Sequence, residues 1–203
     1  MLYQKEKVED IQPLRDLVKV KVQIPKEVVT ESGIVLKTKA DADKYFNGIE
    51  IYNGKILAIG PDAPNKIKDA ISIGDTVAFD RLAGYGISTK GDQYVKLIPI
   101  SSLIMKKDEN QSMEQAQPLH ERVVVKVEKG SDTTENGIYV GNANLSSNID
   151  SDTIPGTVIN CSNGVNIVAP GDRIRFDAFA GIEFEENKEI YKVLTKYDIV
   201  AKV

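Results

Sequence analysis

Apolar and polar residues alternate over several short stretches of this chain. In "VKVKVQI" (18–24) the apolar positions fall on every second residue, and "RVVVKV" (122–127) is a similar stretch about a hundred positions on. A period of two lines one face of an extended chain, so both segments predict half-buried strands. "GKILAIG" (54–60) and "GTVIN" (156–160) predict further short strands that open on glycine. In "IGDTVAF" (73–79) and "PGDRIRF" (170–176) a Gly-Asp pair gives a turn signal just ahead of a strand. Pro13 and Pro118 stand before strands, where a missing N–H costs no ladder hydrogen bond. No stretch holds a 3.6-residue apolar period beyond two turns. The pattern predicts an all-β protein built as a small barrel or sandwich.

The same blocks occur twice and in the same order. "QPLRDLVKVKV" (12–22) aligns with "QPLHERVVVKV" (117–127), and "SGIVL" (32–36) with "NGIYV" (136–140). "IGDTVAFDRLAGYGI" (73–87) aligns without gaps with "PGDRIRFDAFAGIEF" (170–184). A repeat of this length is the mark of a duplicated structural unit. Between the copies lies "KKDENQSMEQAQ" (106–117), which is polar and aperiodic and reads as a short linker. The expected organisation is an N-terminal extension (1–10), a first unit (11–106), a linker (107–116) and a second unit (117–203).

Composition narrows the function. The 203 residues are 41% hydrophobic, enough to bury a core, and Val and Ile favour strands. The formal net charge is −4, with lysines interleaved among acids, so the clustered basic face of a nucleic-acid binder is absent. No apolar run approaches the roughly 18 residues that would span a membrane. "MLYQKEKVED" at the start has no apolar core of a secretory signal. Cys161 is the only cysteine and His120 the only histidine. That excludes intrachain disulfides, nearly every zinc site and any His-dependent nucleophilic triad. Asp80 and Asp177 both follow Phe, but they are one residue per copy, and turn formation explains them better than a catalytic carboxylate pair. The chain is expected to be no enzyme and to need no cofactor or metal.

Ile34, Val35 and Leu36 form an apolar triplet behind a polar stretch and Gly33. On residues alone it is either a short core strand or an adhesive motif on a loop. Its echo, Ile138, Tyr139 and Val140, also follows a polar stretch and a glycine, Gly137. The segments before the triplets, "QIPKEVVTESG" (23–33) and "EKGSDTTENG" (128–137), bury too little apolar surface to offset their ordering entropy, so mobility of the free loops is expected. The glycines fit either a tight turn or a close approach to a partner.

In order and spacing these blocks resemble the GroES co-chaperonin family, and the tandem arrangement is similar to the family's double-domain form in chloroplasts. "QPLHERVVVKV" and "PGDRI" carry the strongest likeness, and the resemblance covers nearly everything but the first ten residues and the linker. The first copy departs from the family by a long insert, "KTKADADKYFNGIEIYN" (37–53), and the second by "GNANLSSNIDSDTIP" (141–155). The resemblance implies two tandem GroES-like small β-barrels, each with a mobile loop. It implies that the chain caps a seven-fold, barrel-shaped, ATP-dependent chaperonin of the GroEL type and so assists protein folding. ATP would be bound by that partner. Chaperonin-binding residues would be Ile34, Val35 and Leu36 in the first copy and Ile138, Tyr139 and Val140 in the second. Tyr85 resembles a cavity-facing rim aromatic, although a plain surface or core tyrosine is the commoner role.

Each triplet buries only a few kcal/mol worth of surface at about 25 cal/mol per Å². One loop should therefore bind weakly, and several on one ring tightly. The resemblance implies a homo-oligomeric ring, either a tetramer or three chains plus a single-domain co-chaperonin. It implies a mature form in the plastid stroma, with the cytoplasm of a bacterium or of a virus-infected host as the alternative. A competing function is an all-β module that binds oligosaccharide or oligonucleotide; 6% aromatics and the acidic charge weigh against it.

Overall fold

The computed structural model describes residues 10–23, 28–29, 35–36, 51–64, 70–90, 93–108, 110–128 and 152–203. Among them the regular structure is strand, with 3-10 turns at Ile100–Ser102, Met113–Gln115 and Lys196–Asp198 and no α-helix. The chain divides into two compact units, Met1–Gln111 and Ser112–Val203.

The first unit contains β1 (Leu17–Gln23), β2 (Val28–Val29), β3 (Val35–Leu36), β4 (Ile51–Ile59), β5 (Thr76–Asp80), β6 (Tyr85–Lys90), β7 (Gln93–Pro99) and β8 (Leu103–Lys106). The second contains β9 (Gln117–Pro118), β10 (Arg122–Val127), β11 (Thr153–Cys161), β12 (Arg173–Asp177), β13 (Ile182–Glu186), β14 (Glu189–Thr195) and β15 (Ile199–Lys202). Strand order in the first is β6-β7-β1-β4-β5-β8, and in the second β13-β14-β10-β11-β12-β15. Strand for strand these are the same topology, with antiparallel neighbours throughout. The repeat in sequence is therefore a repeat in fold.

In the second unit β14 and β15 stand apart in the sheet order, yet both contribute to one core. Leu194 and Ile190 from β14 and Ile199 from β15 pack with Val123, Val125, Val127, Val158, Ile174 and Phe176. A sheet whose distant strands share an interior must curl, which gives the expected small barrel.

The central strand departs from strict alternation. In β1, Val18, Lys19 and Val20 are all buried. Its register against β4 skips Leu57, since Lys19 pairs with Ala58 and Val20 with Ile56. The register of β10 against β11 skips Ile159 at the equivalent place, since Val124 pairs with Asn160 and Val125 with Val158. Each is a bulge on the partner strand, two residues opposite one. Buried Lys19 donates from Nζ to the carbonyl of Ile11 at 2.8 Å.

Gly54 and Gly156 occupy matching places in β4 and β11. A methyl group on Gly156 would lie 2.6 Å from Val125 Cγ1, 2.8 Å from the Lys126 carbonyl oxygen and 2.9 Å from Phe176 Cε1. On Gly54 it would overlap Val20 Cγ1 and lie 2.9 Å from the Lys21 carbonyl oxygen. The glycines let the large core rings, Phe79 and Phe176, close against the central strands.

Part of the polar segment expected as a linker (107–116) is built into the second unit. Met113 and Ala116 are buried, the Met113 N–H donates to Glu186 Oε2 at 2.7 Å, and Asn160 Nδ2 donates to the Ala116 carbonyl at 3.0 Å.

Candidate functional site

Each unit sends out one long excursion between the same two neighbouring strands. In the first it leaves β1 after Gln23 and returns at Ile51 of β4; Gln23 pairs with Asn53, so both ends emerge side by side. In the second it leaves β10 after Val127, which pairs with Gly156 of β11. The triplets lie on these excursions.

Val35 and Leu36 form β3, which pairs antiparallel with β2: Val28 opposite Leu36 and Val29 opposite Val35. This two-stranded ladder is a sheet of its own, apart from the main sheet of the unit. Strand and excursion thus coincide in Val35 and Leu36, which take no place in the main ladder. Ile34 and Gly33 lie outside the described residues, as do Gly137, Ile138, Tyr139 and Val140.

The root of the second excursion is pinned by arginines from β12. Arg173 makes a two-pronged contact with Glu128, Nε to Oε1 at 2.8 Å and one terminal nitrogen to Oε2 at 2.7 Å. Arg175 donates to the Thr153 carbonyl at 2.8 Å and to its Oγ1 at 3.0 Å. Glu128 and Thr153 flank the excursion on its two sides. Arg173 holds the Glu128 carboxyl below the usual carboxylate range, chiefly through these hydrogen bonds.

The Gly-Asp turns are matched between units. Gly74 and Gly171 sit at φ +99° and +91°, a region that glycine enters without strain. Asp75 Oδ2 accepts from the Ser72 N–H at 2.7 Å, and Asp172 Oδ2 from the Ala169 N–H at 2.9 Å. The same carboxylates reach a lysine on the last strand of their unit, Lys106 at 3.1 Å and Lys202 at 2.7 Å. The Lys202 hydrogen bond, with that from Ala169, lowers the Asp172 pKa.

Asp80 and Asp177 close the next turn. Asp80 Oδ1 accepts from the Leu82 N–H at 2.7 Å and Asp177 Oδ1 from the Phe179 N–H at 2.8 Å. They are turn formers, as their position in the repeat suggests. Tyr85 is exposed at the start of β6. Cys161 is half-buried at the end of β11; burial, then the Asp172 charge, raise its thiol pKa, so the unreactive protonated form is favoured. Among the described residues no cluster of His, Cys, Asp or Glu is placed to hold a metal ion.

Pattern reading missed Lys96 and Lys192. Both are buried, on β7 and β14, and both reach back under the turn that follows Phe-Asp. Lys96 Nζ donates to the Arg81 carbonyl; Lys192 Nζ donates to Ala178 at 2.6 Å and Ala180 at 3.3 Å. Desolvation lowers both pKa values, opposed by Asp80 at Lys96 and by Glu183 and Asp177 at Lys192. The available signal was a lysine at matching places in "YVKLI" and "IYKVL".

Comparison with known proteins agrees with this duplicated architecture. The family described as "Chaperonin 10 Kd subunit" matches residues 10–100 and again 115–203. The chain is similar to the 20 kDa chloroplastic chaperonin of Spinacia oleracea, 25% identical over 209 residues, covering 96% of this chain and 76% of that protein. It is similar to the co-chaperonin GroES of Limosilactobacillus reuteri, 36% identical over 95 residues, covering 42% of this chain and 96% of that protein. It is 34% identical over 89 residues to the co-chaperonin GroES of Halothermothrix orenii, with 43% and 87% covered. The two GroES relatives thus each cover less than half of the chain, and the Spinacia relative nearly all of it. Two consecutive matches to one family, on two units of one topology, make this chain a co-chaperonin and a tandem member of the chaperonin 10 kDa subunit family.

Proposed function

We propose that this chain closes the end of a barrel-shaped, ATP-dependent chaperonin of the GroEL type. Ile34, Val35 and Leu36 dock on the partner from the first unit, and Ile138, Tyr139 and Val140 from the second. The chain has no catalytic activity and no cofactor of its own; the chaperonin binds the ATP. It works as a homo-oligomeric ring, alone or with a single-unit co-chaperonin, and its mature form acts in a plastid. The observation that carries the reading is the family match occurring twice along one chain. The chloroplastic name of the Spinacia relative supports the location. The separate β2–β3 ladder supports the docking role, because it keeps Val35 and Leu36 out of the main sheet.

Co-elution with a seven-fold GroEL-type chaperonin tests the proposal. Binding should require ATP, and refolding of a stringent client should rise with it. No nucleotide-dependent binding, with Ile34→Asp and Ile138→Asp both behaving as wild type in refolding, would sink the reading.

A further inference from the structure

β4 and β11 are equivalent strands, and each runs into a four-residue turn. In the first unit the turn is Gly60-Pro61-Asp62-Ala63. The Gly60 N–H donates to the Leu17 carbonyl at 2.8 Å, the Asp62 N–H to the Arg15 carbonyl at 3.1 Å and the Ala63 N–H to the Gly60 carbonyl at 3.4 Å. In the second unit the turn is Ser162-Asn163-Gly164-Val165. The Ser162 N–H donates to the Arg122 carbonyl at 3.0 Å and the Val165 N–H to the Ser162 carbonyl at 3.1 Å. The middle bond has no counterpart. Among the described residues the Gly164 N–H has no acceptor and the Asn163 side chain no partner, and both residues are exposed.

This pairing is reactive. Glycine has no Cβ to shield its nitrogen. With no hydrogen bond to break, the Gly164 nitrogen is free to turn onto the side-chain amide carbon of Asn163. The first unit has no such chemistry, because Pro61-Asp62 offers no amide side chain and its N–H is already engaged.

Asn53-Gly54 is the same dipeptide, and Asn53 is exposed as well, so exposure does not separate the two sites. The backbone does. Asn53 pairs with Gln23 on one side and Ala78 on the other, and Gly54 with Val22 and Val77. Ring closure there must wait for a central ladder to open, and openings of core strands approach the cost of global unfolding.

We propose that Asn163-Gly164 is a site of spontaneous deamidation and isoaspartate formation in the folded chain, and that Asn53-Gly54 is protected by its ladder. The Gly164 nitrogen loses its proton to solvent and attacks Asn163 Cγ. The new N–Cγ bond closes a succinimide ring as the Cγ–Nδ2 bond breaks, and Nδ2 leaves as ammonia. Water then opens the ring. Cleavage of the N–Cγ bond gives aspartate. Cleavage at the main-chain carbonyl gives isoaspartate, whose backbone runs through Cβ and Cγ. The net change is amide and water to acid and ammonia, with no oxidant or cofactor.

The product bears on the second unit alone. A methyl group on Gly164 would lie 2.8 Å from Glu121 Cγ, so the turn rests on that side chain, which holds Lys196 at 2.9 Å. A carboxylate at position 163 adds like charge beside Glu121. Isoaspartate also lengthens the backbone between the bonded Ser162 and Val165, and Val165 packs on the core of its unit. None of this depends on docking to a chaperonin.

The test holds the full chain folded at neutral and mildly alkaline pH beside the free peptide of residues 160–167. Peptide mapping with fragmentation places each modification. Methyl transfer from S-adenosylmethionine by an isoaspartyl methyltransferase counts isoaspartate independently. In the folded chain Asn163 should convert at close to the peptide's rate, faster at higher pH, and Asn53 roughly a hundredfold more slowly or less. In urea both should run at the peptide's rate, which shows that the fold makes the difference. Asn163→Gln should remove the product at this site. Hydrogen exchange of the modified chain should quicken at the Ser162 and Val165 amides and stay unchanged at Gly60 and Ala63. Protection of Asn163 equal to that of Asn53, equal speed at Asn53 in the folded chain, or a product free of isoaspartate would overturn the site. Unchanged exchange at Ser162 and Val165 would overturn its effect on the second unit. The wild-type comparison needs no variant to fold.

Discussion

At Gly54 and Gly156 the geometry leaves no room for a side chain. The contacts that forbid one include backbone carbonyls at 2.9 and 2.8 Å, which cannot rotate away as a side-chain end would. Gly156→Ala should therefore cost about 1–3 kcal/mol, the usual penalty for forcing volume into a packed core. Urea unfolding measures it, and a loss under about 0.5 kcal/mol, typical of a surface change, would refute the packing account. Lys192 presents a different case, a charge retained inside for the bonds it makes. Its ammonium holds the Ala178 and Ala180 carbonyls, the two residues that bracket exposed Phe179. Lys192→Met keeps the stem and removes the donor. Stability should fall by about 1–3 kcal/mol, the cost of leaving buried acceptors unmet. Hydrogen exchange should also quicken at the Phe179 amide, which its bond to Asp177 protects. An unchanged exchange rate there would separate the lysine from the turn.

The elements show which features an alternation pattern can carry. The duplication of one all-β unit was legible because the blocks recur in sequence, and one copy checks the other. The bulges at Leu57 in β4 and Ile159 in β11 were not, since "GKILAIG" and "GTVIN" give no sign of a register shift. Lys96 and Lys192 were hidden for a related reason: a lysine within an apolar run reads as a solvent-facing position until the fold supplies carbonyls beneath it. The triplet stood out by composition, but the β2–β3 ladder did not, because two residues per strand are too few to show a period. The ion pairs at the roots and turns were likewise beyond pattern, as their partners come from distant strands. Their consequence is a pH dependence. Glu128 and Asp172 have folded pKa values below their unfolded ones. The unfolded chain then binds protons first as pH falls, so their stabilisation is complete above the unfolded pKa. It is lost from roughly pH 5 downward, through the lower folded values. Glu128→Gln and Asp172→Asn should each flatten the acid limb of a stability-against-pH curve and leave its slope above neutrality unchanged. An acid limb as steep as wild type in both would show that these pairs do not bear on folding.

On the scale of the whole molecule, the two triplets proposed to dock on the chaperonin are not chemically equal. Ile34, Val35 and Leu36 present aliphatic carbons only, whereas Tyr139 places a hydroxyl in the middle of the second triplet. An aliphatic triplet can be buried whole in an apolar groove. The tyrosine ring can enter the same groove only if its hydroxyl reaches water or a partner, so less of its surface is removed from water. The first loop should therefore supply the larger share of each chain's binding energy. Ile34→Asp removes about 1.5–3 kcal/mol of burial per site, a loss of roughly tenfold or more in affinity. The loss multiplies across a ring, because each loop raises the effective concentration of the rest. ATP-dependent binding to a GroEL-type chaperonin, measured at several chain concentrations, should fall further for Ile34→Asp than for Ile138→Asp, and the double variant should not bind. Equal losses, or a larger loss from Ile138→Asp, would mean that the hydroxyl is accommodated and that the two units dock as equivalents.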